Sequence, residues 1–243
     1  MSLVTVRFNF PFSLYLCSRL VGSDADAGDS DGETEDTERL RFLTTSVCAC
    51  LSSLLQHATP SAFIPLVSSA NAAEKGVMVM QRLALVLCRC ITSTDSDISM
   101  PCIGSMGSLG AKNDQIEAMG LKEVTFLSSK INWLFSNAIL RTLDNIVIKG
   151  CRAEQNIYLL EICLSAFVDL HSSDDPLLLQ NFIKLKSIEK LGSAVRVFEA
   201  AVRDFSEAST RDKADDYQTT ITDFQDTVLN THSFLEYKAN YCK

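Results

Sequence analysis

Punctuation is scarce in this chain. Five prolines and ten glycines in 243 residues leave room for long uninterrupted helices and argue against a fold made of many tight turns. The three histidines, His57, His171 and His232, lie far apart, so no two of them form a sequence-local ligand pair. The chain contains no G-x-x-x-x-G-K-[ST], H-E-x-x-H, G-x-S-x-G, protein-kinase set or Cys-x-x-Cys, which removes the usual signatures of phosphate cradling, zinc proteolysis, serine hydrolysis and dithiol exchange. No catalytic residue and no cofactor is expected.

A basic excess is missing as well. The formal charge of −8 has a local origin, because Ser23 to Glu38 holds eight acids and no base. Without those eight of the 30 acids, 22 remain against 22 Lys and Arg, and a neutral body does not predict a nucleic-acid partner. The tract is too poor in apolar residues to offset its ordering entropy, and it reads as an acidic flexible linker over 23–38. Its spacing does not suit an EF-hand: counted from Asp24 the required sixth-position glycine is Asp29, and counted from Asp29 the twelfth residue is Leu40. Ser23 and Ser30, each with an acid three residues on, are candidate phosphorylation sites within it.

Residues 1–22 form an N-terminal arm. Val4, Val6, Phe8 and Phe10 alternate with polar residues as in a half-buried strand, and the apolar run is too short to span a bilayer. From residue 39 a helical domain extends to 243. Leu40, Leu43, Val47, Leu51 and Leu54 recur at helical spacing and predict an inward face, ending before Pro60. This bears on the cysteines, nine in all, which occur twice as Cys-x-Cys. Residues two apart on a helix differ by about 200°, so Cys48 and Cys50 cannot chelate one ion as a pair, nor can Cys88 and Cys90. They read as small apolar groups in helix contacts, with no metal site, in a reducing compartment.

A long loop is expected over 92–114, where Gly104, Gly107 and Gly110 lack the spacing of a dinucleotide fingerprint. A helical pattern follows from Asp114 through Ile146, with a break near Gly120 or Asn137 and a stop at Gly150. "SSDDP" predicts a helix capped by Asp175 with Pro176 in its first turn. The last segment, 187–240, predicts a helical hairpin. Ile188, Leu191, Val195, Phe198, Val202 and Phe205 follow an a/d spacing with a Glu199 to Arg203 pair outside it, and Tyr217, Ile221, Phe224 and Val228 continue beyond a turn near Ser209. Its seam, Val195, Phe198, Val202, Phe205 and Phe224, either closes on the chain itself or receives a partner helix.

The fold class expected is all-α, a multi-helix stack of antiparallel pairs with an architectural likeness to armadillo and HEAT arrays, or else an irregular helical bundle. The function expected is a non-enzymatic scaffold or adaptor for other proteins, nuclear or cytoplasmic, with neither nucleic acid nor membrane as a direct partner. The competing class is a small-molecule enzyme or ligand carrier with an apolar pocket between helices.

Overall fold

The computed structural model describes residues 33–57, 83–93, 95–118, 129–150, 154–212 and 218–241. The N-terminal arm, Ser23, Ser30 and the segment after Pro60 up to residue 82 lie outside them. The chain is all-α, and the described residues hold helices and their turns without a strand. In chain order these are α1 (Glu33–His57), α2 (helical over 83–90), α3 (Ser96–Ala118), α4 (Ser129–Lys149), α5 (Glu154–Leu170), α6 (Pro176–Lys184), α7 (Ser187–Asp212) and α8 (Gln218–Tyr241).

Two boundaries follow the expected chemistry. Gly150 takes the left-handed φ of 79° and its N–H donates to the Ile146 carbonyl at 2.9 Å, closing α4 as a C′ glycine does. Asp175 accepts from the Leu177 N–H at 2.6 Å ahead of Pro176, which caps α6.

Elsewhere the structure corrects the sequence reading. The linker expected over 23–38 ends early, since α1 begins at Glu33. The loop expected over 92–114 is mostly α3. Asp95 starts that helix: its carbonyl accepts from the Ser99 N–H at 3.0 Å and its carboxylate accepts from the Asp97 N–H at 3.0 Å. The turn expected from Ser209 is still helix, because α7 continues to Asp212. On α1 the inward face is rotated by about one residue. Thr44 and Cys48 are its buried positions, Val47 and Leu51 pack partly against the core, and Leu40 and Leu43 are exposed.

One core runs from Cys48 on α1 to Phe234 on α8. α3 packs on α1 and on α5, and α5 in turn packs on α4, α7 and α8, while α4 also meets α6 and α7. This set of neighbours is wider than in a one-dimensional array, where each layer touches only the next, and the array likeness gains nothing from it. The hydrophobic centre is aromatic and aliphatic, with Phe135, Phe167, Phe182, Phe198 and Phe224 the largest buried side chains.

The tightest crossing is α3 on α5. A methyl placed at Gly107 would stand 2.8 Å from Ala166 Cα, and one at Gly110 would stand 2.8 Å from the Asp169 carbonyl oxygen and 2.9 Å from Leu170 Cα. Those obstacles are backbone or bonded directly to it, and a helix backbone cannot rotate aside. Gly110→Ala is therefore expected to destabilise the chain by about 1–3 kcal/mol, despite alanine's better helix propensity. Gly192, inside α7, has nothing within 4 Å of its added methyl, and Gly192→Ala is expected to stabilise by about 0.5–1 kcal/mol. Denaturant midpoints of the two variants check both signs; equal midpoints would mean that α3 and α5 are not in close approach.

Candidate functional site

Three constellations bring chemistry-bearing side chains together. The first lies where α4, α5 and α6 meet. Asn132, on the buried and mostly apolar face of α4, donates to the Leu170 carbonyl at the end of α5 (2.9 Å) and accepts from Asn181 of α6 (3.0 Å). Asn181 also donates to the Ser129 carbonyl at 2.8 Å. One turn further along α4, Ser136 Oγ and His171 Nε2 share a hydrogen bond of 2.8 Å. The imidazole stacks on Phe167 at 4.6 Å and meets the edge of Phe182 at 5.5 Å.

A serine within hydrogen-bond reach of a histidine has the outline of a nucleophile and its base, but the surroundings remove that role. Ser136 is 0% exposed and His171 1%, so no substrate reaches either. Burial, reinforced by the nearby Lys238 ammonium, lowers the imidazole pKa to about 3, far from the near-neutral value that general base catalysis needs. The pair is a buried polar tie.

Next to it, the side chain of Lys238 of α8 is buried. Nζ donates to the Ser173 carbonyl and to Asp174 Oδ1, both at 3.1 Å, and lies 5.4 Å from the centre of the Tyr237 ring. Tyr237 donates to the other carboxylate oxygen at 2.7 Å. That bond, with the lysine, holds the Asp174 carboxyl below its usual range.

The second constellation is one of thiols. The two Cys-x-Cys pairs do split as helical geometry requires: Cys48 is buried while Cys50 is exposed, and Cys90 is buried while Cys88 is only partly so. The inward member of each pair, however, meets the other. Cys48 of α1, Cys90 of α2 and Cys102 of α3 place their sulfurs within 4.8 Å of one another, with 3.7 Å between Cys48 and Cys102. Helical spacing relates the cysteines only within each pair, and Cys102 falls in the expected loop over 92–114, so no sequence pattern joins the three. Cys163 stays apart in the α5 core, and burial raises its thiol pKa.

The third is the hairpin seam. Val195, Phe198, Val202 and Phe224 are buried and Phe205 is half-buried. The Phe224 ring lies 5.6 Å from Phe198, 5.9 Å from Phe205 and 5.1 Å from Tyr158 of α5. The chain's own aromatic rings fill the seam, which leaves no groove there for a partner helix. Glu199, expected to pair along the helix with Arg203, reaches across the hairpin to His232 at 3.0 Å.

Comparison with protein-family models, with curated proteins and with solved structures gave no match. Among the described residues, no helix is long and apolar enough to cross a membrane.

The His171 site carries a pH signature. The folded imidazole stays neutral down to about pH 3, whereas in the unfolded chain it takes up a proton near its ordinary 6.5. Its contribution to stability is complete above about pH 6.5 and is lost as the pH falls toward 3, at about 1.4 kcal/mol per pH unit. Urea unfolding of the wild type and of His171→Gln between pH 7 and pH 5 should differ by that slope, and parallel curves would place the histidine in water.

The seam makes a second prediction. Phe198→Ala should destabilise by about 3–5 kcal/mol, while Glu199→Ala, in a half-exposed pair, should cost about 0.2–0.5 kcal/mol. Thermal unfolding separates the two, and an unchanged midpoint for Phe198→Ala would mean that the seam is open.

Proposed function

We propose that this chain is a non-enzymatic helical scaffold whose contact surface is the outer side of the first half of α1. The observation that supports this is local: Phe42 and Leu43, about 100° apart on the helix, are both exposed, Phe42 to 73%, and Leu40 stands exposed one turn before Leu43. Large apolar side chains grouped on a helix surface are a common mark of a protein contact, whereas the same residues scattered singly are not. The acidic tract Ser23 to Glu38 precedes them directly in sequence. A partner helix with an apolar stripe and a basic flank would match both the apolar residues and the charge.

Two further observations support a binding role over chemistry. The one serine–histidine pair among the described hydrogen bonds is closed to solvent, and the buried asparagines and Lys238 are engaged with backbone carbonyls. These groups hold helices together.

The test is a paired measurement. Phe42→Glu should leave the thermal midpoint within about 0.5 kcal/mol of wild type, as surface substitutions do, while abolishing recovery of the partners that wild type retains in affinity purification with mass spectrometry. A Phe42→Glu protein that keeps every partner, or a wild type with none, defeats the scaffold reading.

A further inference from the structure

We propose that Cys48, Cys90 and Cys102 together form a binding site for one soft, thiophilic cation, copper(I), held by three sulfurs. Each ligand comes from a different helix, and each is almost completely buried, at 2%, 0% and 1% exposure. Three sulfurs bound at about 2.3 Å around one ion stand about 3.8–4.0 Å from one another. The trio already has 3.7 Å between two members and at most 4.8 Å between any two, so side-chain rotations that move a sulfur by up to about 1 Å would close the shell.

The donor set selects the ion. Hard cations such as magnesium and calcium require oxygen ligands, and a closed zinc site takes four. Among the described residues no fourth His, Cys, Asp or Glu atom joins the group. Three thiolates in a dry pocket of helix contacts suit a d10 monovalent ion, which accepts trigonal sulfur coordination and does not call for a water ligand. On binding, sulfur–copper bonds replace sulfur–hydrogen bonds and the protons pass to bulk water. The copper remains in the +1 state and no electron is transferred.

Cys50 and Cys88 are internal controls. They are two residues from ligands yet lie on other faces, one exposed and one partly buried with its thiol pKa raised to about 11 by desolvation.

The experiment uses the full reduced chain, loaded anaerobically with copper(I) as its acetonitrile complex and then challenged with bicinchoninate. About one copper per chain should resist the chelator, with release of protons and a higher thermal midpoint, because the ion ties three helices in the folded state only. Cys48→Ala, Cys90→Ala and Cys102→Ala should each drop retention to none. A variant with Cys17, Cys50, Cys88, Cys151 and Cys242 all changed to Ala should retain the ion. Since a buried substitution can unfold the protein, each alanine variant counts only if its circular dichroism is native, and X-ray absorption of the loaded wild type provides the independent reading. Three sulfurs in the copper shell support the site. A shell of two sulfurs, a shell containing nitrogen or oxygen, retention that survives Cys90→Ala, or preference for zinc(II) at the same thiols would each overturn the copper(I) assignment. Loss of all copper to the chelator from the wild type would mean that the three thiols are packing groups and nothing more.

Discussion

The crossing of α3 over α5 is the constraint on which the other contacts depend. It brings two helix backbones closer than any side chain larger than hydrogen allows, with Gly107 over Ala166 and Gly110 over the end of α5. Contact at that distance is steep in energy and leaves little freedom to slide, so it sets the register of the two helices as well as their separation. Everything that α3 carries toward α1 is then placed by a crossing on its opposite side.

From α5 outward the packing is finished by polar ties at specific points. The buried carbonyl of Leu170, one of the acceptors that a helix C-terminus leaves without an intrahelical donor, is met by Asn132 of α4. Asn181 of α6 then closes on Asn132 and on the start of α4. His171 and Ser136 add a second tie one turn away, and Lys238 brings α8 to the same corner through Ser173 and Asp174. In a low-dielectric interior a half-satisfied group of this kind is costly, so such a network selects one arrangement of four helices over near alternatives.

What could be read from sequence follows the range of the interaction. The stop at Gly150, the cap at Asp175 and the aromatic seam of α7 and α8 depend on residues within a few positions of one another, and periodicity and capping chemistry find them. The stretch from 92 to 114 has the composition of a loop because its glycines resemble chain-reversal residues, yet most of it is α3. Their use is in α3, where the partner that requires them, α5, lies about sixty residues away. The same distance hid the thiol trio, since Cys48 and Cys102 are 54 residues apart and no local pattern relates them. Asn132 and Asn181 did leave a mark, as polar residues on apolar helical faces. An asparagine in such a place usually bonds a helix end or another buried amide.

α1 is joined to this body differently from the rest. At one end Arg41 pairs with Asp95, at 2.5 Å, just ahead of α3. At the other end Lys112 of α3 donates to the Gln56 carbonyl at 3.1 Å, supplying a cation to the last turn of α1. Among the described side chains between these ties, the fully buried ones are Thr44 and Cys48, which withdraw less apolar surface from water than the buried phenylalanines of α4 to α8. The Arg41 pair adds little, because the guanidinium side chain is 64% exposed and such pairs are screened by solvent. Among its described side chains, α1 is thus attached through Thr44, Cys48 and the partly buried Val47 and Leu51, while Leu40, Phe42 and Leu43 are exposed. Elements that engage other molecules are drawn from the lightly held part of a fold, because contacts already committed to the core are not available to a partner. The buried thiol of Cys48 and the exposed Leu40 and Leu43 follow from the same sequence choice: the apolar periodicity of α1 is offset by about one residue from its packing face.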